Sequence, residues 1–324
     1  MMIDYDATIL LIAAFLDYLI ADPLFLPHPV QGMGVIISFF SKNFTNLTKN
    51  SSLRRWGGIA FGISLIFGSG GLSWLIIYLS KEISIGLSFL LEVILLASCF
   101  AGRSLRNAAV AVLTPLKNNE IETARTQLSF YVGRDTEDLS TEEISRAVLE
   151  TIAENTTDGV TAPLFYAILG LVIGVGSVPL ALAYKASSTL DSMVGYQREP
   201  FTDIGWFSAK FEDILTWLPC RFTVLTISLI ALQPLKVWQI CRRDATQDPS
   251  PNAGWSECAY AVILGVQLGG KNTYQGEVKE KPLLGNPEQS ITEEKIEQAL
   301  SLTRTCFLIW LFLAVIILQI NLGT

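Results

Sequence analysis

Residues 150–196 read ETIAENTTDGVTAPLFYAILGLVIGVGSVPLALAYKASSTLDSMVGY. The stretch opens on carboxylates and an amide (Glu150, Glu154, Asn155, Asp158), turns apolar, and closes on Lys185, Thr189, Asp191, Ser192 and Tyr196. A purely structural membrane helix has no need of ionisable groups gathered at both ends, because each is costly near hydrocarbon. Pro163, Gly170, Gly174, Gly176 and Pro179 interrupt the apolar part. Polar groups bracketing a broken apolar segment are what a site at a membrane surface requires.

The rest of the composition agrees with a membrane setting. Half of the 324 residues are hydrophobic and 16% are charged, against about 25% charged in soluble domains. Mean hydropathy is +0.43. The net charge is −7 and no basic cluster stands out, which argues against nucleic acid as a partner. Cys99, Cys220, Cys241, Cys258 and Cys306 are scattered and never spaced C-x-x-C, so neither a disulfide framework nor a zinc site follows. Asp4 and Asp6 precede the first apolar run, which therefore reads as a retained span rather than a cleaved leader.

That run covers roughly residues 7–21 and carries Asp17. It ends in ADPLFLPHPVQGMG, where Pro23, Pro27 and Pro29 forbid a continuous helix and His28, the single histidine, sits between prolines. Fuller spans are expected at 56–79, at 83–101 with Glu92 inside, and at 306–320, each near the roughly 20 residues needed to cross a bilayer. A structural hydrogen bond to a neighbouring helix is the favoured reading of Glu92. The run 222–232, stopped by Pro234, looks like a half-span, and a helix expected at 292–302 leads into the last span.

Between 102 and 159 the chain is polar and reads as surface helices. Ser140-Thr-Glu-Glu143 fits a capping box that starts a helix near Thr141. Ile144, Ala147, Val148, Thr151 and Ile152 suit its buried stripe, while Glu143, Arg146, Glu150 and Glu154 share another face. That face reads equally well as solvated or as part of a site. An Asn-Thr-Thr-Asp-Gly turn is expected to end the helix at Asp158.

Charge sidedness decides how residues 160–184 meet the bilayer. With an outside N-terminus, the firm spans put every Lys/Arg-bearing loop on one side. A full crossing at 160–184 would throw Lys185, Arg198 and Lys210 to the other. A re-entrant hairpin turning near Gly174–Gly176 keeps both polar ends together. The expected architecture is therefore an all-α, polytopic helical membrane protein with broken or re-entrant helices and helical surface segments on one face. It is read as one domain over 1–324, with a surface segment 102–159, a re-entrant segment 160–184 and a polar segment 236–302.

Among motifs, GVQLGGKN at 265–272 falls one residue short of a phosphate-binding loop, since Asn272 replaces the Ser/Thr that would hold Mg²⁺. A glycine turn contacting an anion through backbone N–H groups is the remaining reading there. No G-x-S-x-G or H-E-x-x-H pattern occurs. Glu150, Glu154 and Asp158 offer oxygen ligands of the kind Mg²⁺ takes together with phosphate. Arg134 and Lys185 suit phosphate oxygens, the first by a bidentate fork.

At these residues the sequence resembles the adenosylcobinamide-phosphate synthase family of cobalamin biosynthesis. The segments that carry the resemblance are DYLIADPLFLPHPVQGMG, YVGRDTEDLS, ETIAENTTDGVTAPLF, LAYKASSTLDSMVGY, FTDIGWFSAKFEDILTWLPCR, and DPSPNAGWSE with GVQLGG. Two positions depart from the family pattern, which has Asn near Ser188 and Pro at Lys271. The resemblance implies ATP-dependent amide formation between adenosylcobyric acid and aminopropanol or its O-phosphate. It makes Glu150, Glu154, Asp158, Lys185, Asp191 and His28 the expected catalytic residues, with Glu150, Glu154 and Asp158 holding Mg²⁺. Arg103, Arg106, Arg134, Asp135, Asn155, Thr189, Ser192, Tyr196 and Asn252 are the expected substrate contacts. The implied setting is the cell (inner) membrane with a cytoplasmic-side site. The expected partners are lipid and the small-molecule substrates, with a second copy or other pathway enzymes left open. A corrinoid transporter is the competing reading, against which stand the missing inverted repeat and the large one-sided polar segments.

Overall fold

The computed structural model describes residues 5–20 and 28–321. In chain order its helices are α1 (Tyr5–Ile20), α2 (Pro29–Leu47), α3 (Ser51–Ile83), α4 (Ile85–Ala97), α5 (Gly102–Lys117), α6 (Ile121–Ser129) and α7 (Thr141–Asn155). A π-helical turn, Thr156–Thr161, leads into α8 (Ala162–Val172). Then follow α9 (Ser177–Val194), α10 (Phe201–Ile204), α11 (Trp206–Ile230), α12 (Pro234–Asp244), α13 (Ala253–Leu264), the strands β1 (Leu268–Tyr274) and β2 (Glu277–Leu284), and α14 (Glu293–Asn321). Two compact units emerge, one of residues 1–101, 162–216 and 309–324, the other of 102–161 and 217–308.

Among the described residues four stretches are long and apolar enough to cross a membrane: Ser51–Ile83, Ile85–Lys117, Trp206–Ile230 and Glu293–Ile320. The chain is thus a multi-pass helical membrane protein. The expected half-span at 222–232 is corrected. Apolar residues begin well before Phe222, and α11 carries Pro219 within a 25-residue helix. The helix expected at 292–302 leads into the last span without a break: both belong to α14, since nothing between Leu302 and Cys306 interrupts the helical pattern. α1 has 16 described residues, and Pro23 and Pro27 lie outside the described ones.

In the first unit α3 lays a stripe of small residues (Gly58, Gly62, Gly70, Ser73, Ser80) into the interior, which lets α9 and α10 pack closely. Glu92 is buried, and it accepts from Ser88 Oγ at 2.9 Å and Tyr5 Oη at 3.2 Å, with Lys81 Nζ at 3.7 Å. Its cost is thereby met by neighbours, as the structural reading of this residue expected. α8 and α9 form a helical hairpin with its turn at residues 173–176, where Gly174 and Gly176 have positive φ. A Cβ on Gly170 would lie 2.1 Å from Gly176 O, so only glycine allows this approach. With 11 residues, at about 1.5 Å each, α8 is roughly 16 Å long. That is about half of a ~30 Å hydrocarbon core.

The second unit packs α5, α6 and α7 through Leu105, Ala109, Leu128, Ile144, Val148 and Ile152, all buried. Ser140 and Glu143 form the capping box at the start of α7, as the sequence predicts. The turn expected to end the helix at Asp158 is corrected. Residues 156–161 continue as π-helix, and their threonines bond sideways rather than to solvent. Thr156 Oγ1 meets Tyr260 Oη at 3.0 Å and Thr303 Oγ1 at 2.8 Å, while Thr161 Oγ1 meets Thr223 Oγ1 at 2.6 Å. The unit also holds an antiparallel hairpin, β1–β2, that the all-α expectation omits. GVQLGGKN runs from the end of α13 into β1 and forms no phosphate-binding loop.

Candidate functional site

The charged face of α7 is only partly solvated: the β-hairpin closes over Arg146 and Glu150, while Glu154 stays exposed. Glu150, 2% exposed, is bound through Oε2 by Arg134 Nη2. Its Oε1 accepts the amide of Gly269 at 2.9 Å, with Arg146 Nε at 3.9 Å. Arg146 donates to Lys271 O at 3.0 Å and Asn272 Oδ1 at 3.2 Å, and also to Gly269 O. Arg134 Nη1 reaches Asn272 Oδ1 at 2.8 Å. Burial works against the Arg134 charge, but the Glu150 carboxylate more than offsets it and the guanidinium pKa is raised. This is a largely buried ion cluster, tied by backbone as much as by side chains.

The sequence explains why the hairpin can do this. Register slips between Leu268 and Gly270, and Gly269 and Gly270 take φ of 82° and 85°. A Cβ on Gly269 would lie 2.0 Å from Pro282 O. The resulting bulge turns one amide toward Glu150 and one carbonyl toward Arg146. The glycine turn that meets an anion through its N–H is present, and the anion is the protein's own carboxylate.

A second charged group lies along the same face. Glu154, one helical turn past Glu150, is exposed. Glu257 on α13 is completely buried, its Oε1 3.4 Å from Lys281 Nζ on β2 and its Oε2 without a hydrogen-bond partner. Burial pushes the Glu257 carboxyl up to about 8; Lys281 opposes this, and the Glu150, Glu154 and Asp248 carboxylates add to it. Burial likewise works to lower the Lys281 pKa, but Glu257, Glu154 and Glu150 outweigh it, so that pKa rises. Burial is what lifts the Glu257 pKa most, whereas the surrounding carboxylates lift that of Lys281.

The remaining expected residues take more local roles. Asp135 accepts the amides of Gln275 at 2.9 Å and Gly276 at 2.8 Å, which hold its pKa below the ordinary carboxylate value and fasten the hairpin turn. Asn155 Nδ2 donates to Thr151 O, and Asn252 accepts Cys220 Sγ, Trp255 N and Ser256 N through its carbonyl at the start of α13. Arg106 forks onto Glu297 at 3.1 and 3.4 Å. Arg103 is half-buried on α5, and Asp158 half-buried in the π-turn. In the first unit Thr189 Oγ1 and Ser192 Oγ donate to their own helix, and Tyr196 Oη donates to Ser192 O at 2.7 Å. Lys185 and Asp191 are half-buried on α9. His28 Nδ1 caps α2 by accepting Val30 N at 3.3 Å.

The Mg²⁺ expectation fails a test of fit on this geometry. Glu150 is already neutralised by two guanidinium groups and an amide. Among the described residues no group of three His, Cys, Asp or Glu is arranged to hold a metal. Sequence reasoning missed Glu257, Lys281, Asp248 and Asn272. Only Glu257 leaves a readable signal, an acid inside the apolar run GWSECAYAVIL.

Fold and site together define an integral membrane protein of several spans whose polar unit buries an ion cluster beneath a short hairpin. The family model described as CobD/Cbib protein matches residues 10–303, and the chain belongs to that family. It is 52% identical to the cobalamin biosynthesis protein CobD of a Synechocystis species, over 96% of this chain and 92% of that one. A protein of the same name from Halalkalibacterium halodurans is 41% identical over 94% and 95%. The cobalamin biosynthesis protein CbiB of Salmonella typhimurium is 39% identical over 90% and 91%. No solved structure matches.

Proposed function

We propose that this chain forms an amide bond in cobalamin biosynthesis. It joins a carboxylate of adenosylcobyric acid to aminopropanol or its O-phosphate, giving adenosylcobinamide or its phosphate. The observation that carries the reading is membership of the CobD/Cbib family across residues 10–303. No observation favours a corrinoid transporter.

A carboxylate and an alkylammonium do not condense in water, so the reaction needs an activated acid and a neutral amine. ATP enters as co-substrate. Transfer of its terminal phosphoryl group to the carboxylate gives an acyl phosphate and ADP. The amine, after losing a proton, attacks the carbonyl carbon, and phosphate leaves as the amide forms. Holding amine and acyl carbon in line supplies much of the rate, and a carboxylate accepts the proton. Any magnesium arrives on the nucleotide rather than on Glu150, Glu154 and Asp158. Glu150 shapes the unit, and the exposed Glu154 is the carboxylate placed to meet an amine. Arg103, and separately Lys185 on α9, are assigned to phosphate oxygens. The site faces the cytoplasm at the inner membrane in this reading, with α8–α9 as a re-entrant hairpin.

The decisive experiment incubates purified protein in detergent with adenosylcobyric acid, aminopropanol phosphate and Mg-ATP. The expected outcome is ligated product by mass spectrometry with matching release of ADP. No product from folded protein, with corrinoid uptake into proteoliposomes instead, overturns the reading.

A further inference from the structure

Two carboxylates near the start of α13 each keep a buried oxygen with no hydrogen-bond donor: Glu257 Oε2 and Asp248 Oδ2. Such orphans are uncommon, because an unsatisfied buried acceptor costs about 1–3 kcal/mol. The local chain explains their placement. Asp248 Oδ1 caps Ser250 N at 2.8 Å, and Gly254, three residues before Glu257, leaves room for the Asp248 side chain, since a Cβ there would lie 2.6 Å from Asp248 Cβ. Ser256 Oγ donates to Ala153 O, which brings the end of α7 and its Glu154 beside the same turn. Glu257 is the buried floor, Asp248 is half-buried, and Glu154 lies open to solvent. Lys281 is the ammonium already seated here, bound to Glu257 Oε1 at 3.4 Å.

We propose that Glu257, Asp248 and Glu154 form a recognition site for a second primary ammonium, that of the amine substrate, beside the fixed ammonium of Lys281. The proposal rests on the amide-forming reading for the identity of the amine. A primary ammonium carries three N–H donors, which matches two orphan oxygens and one exposed carboxylate. The cation we assign to these oxygens is an ammonium rather than a metal ion. A hydrogen-bonded nitrogen sits about 2.7–3.2 Å from its acceptors, whereas Mg²⁺ requires about 2.0–2.1 Å. Among the described residues no three such ligands gather closely enough for a metal.

The charge balance agrees. Lys281 faces Glu257 from β2, Glu150 and Glu154 face it from α7, and Asp248 from the loop before α13; burial first, and then the three carboxylates, favour the protonated Glu257 against the pull of Lys281. An entering ammonium lowers the Glu257 pKa and releases the proton. Affinity for the amine therefore rises with pH toward 8, by up to about tenfold per unit.

Calorimetric titration of the purified full chain with aminopropanol, and with propanediol as the amine-free control, tests the proposal without acid or ATP. The expected result is aminopropanol binding that strengthens from pH 6 to pH 8 with proton release, and no propanediol binding. Glu257→Gln and Asp248→Asn should each weaken binding at least about tenfold, which is 1.4 kcal/mol, and Glu257→Gln should also abolish the pH dependence. Asp248→Asn keeps the test standing where Glu257→Gln fails to fold. Unchanged affinity in folded Asp248→Asn, pH-independent binding, or equal binding of propanediol overturns the site. A native protein that binds aminopropanol but makes no amide refutes the proposed function and leaves the ammonium site intact.

Discussion

Two physical accounts of Glu150, as a structural counter-charge or as a reacting group, are told apart by a charge-only substitution. Glu150→Gln keeps the side-chain shape but leaves Arg134 and Arg146 without their counter-charge. The Arg134 and Glu150 side chains are 8% and 3% exposed, so solvent screens little of the loss. Removing one partner of a buried ion pair costs about 3–5 kcal/mol, because the other charge is stranded. A domain of 150–250 residues loses about 2–4 °C per kcal/mol, and a chain of 324 residues somewhat less, so the melting temperature should fall by roughly 5–10 °C. All five cysteines are buried, so a thiol-reactive dye in detergent reports unfolding directly. Arg134→Met combined with Glu150→Gln should recover part of the loss, since the stranded charge is gone. A Glu150→Gln protein that melts with the native protein yet makes no amide would refute the structural account and return Glu150 to the chemistry.

Other perturbations probe neighbouring features. Gly269→Ala meets both a φ of 82° and the Pro282 carbonyl, so it should cost more than the roughly 1–2 kcal/mol of a left-handed residue alone; the same dye melt reads it. Ser140→Ala removes the α7 capping box and should cost about 1 kcal/mol, visible as a small melting shift with the site chemistry intact. The Asp135 pKa is held down by the Gly276 and Gln275 amides. Its contribution is therefore present above the ordinary carboxylate pKa and lost as pH falls below about 4. Hydrogen-exchange protection at those two amides, taken relative to the intrinsic rate at each pH, should fall on acidification in the native chain but be low and pH-independent in Asp135→Asn. Cysteine-accessibility labelling that places Lys185 and Arg134 on opposite membrane faces would sink the re-entrant hairpin.

What could be read in advance followed from short-range rules. The α7 capping box, its buried stripe and the α8–α9 turn at Gly174–Gly176 rest on residues a few positions apart. The charged face of α7 is visible as a face, but apart from Arg134 its partners lie more than 100 residues away in β1. Neither Gly269 nor Asn272 signals in isolation that it will meet Glu150 or Arg134. The hairpin itself escaped notice because LGGKNTY and EVKEKPLL lack the apolar alternation of a half-buried strand. α11 was misjudged as short because Lys210, Glu212 and Asp213 mask its first turns. Glu257 and Lys281 became a pair only through packing.

The contact between Glu150 and the Gly269 amide spans 119 residues of chain, and this sets an order of events during biogenesis. At about 5–20 residues per second, the ribosome needs on the order of 10 s to travel from one to the other. Glu150 and Arg134 are only 16 positions apart and can meet early. Through that interval the pair must stay hydrated while residues 162–216, which belong to the other unit, emerge. The surface unit therefore cannot mature until the bulge of β1 has been synthesised, and truncation before residue 269 should leave an exposed, protease-sensitive α7.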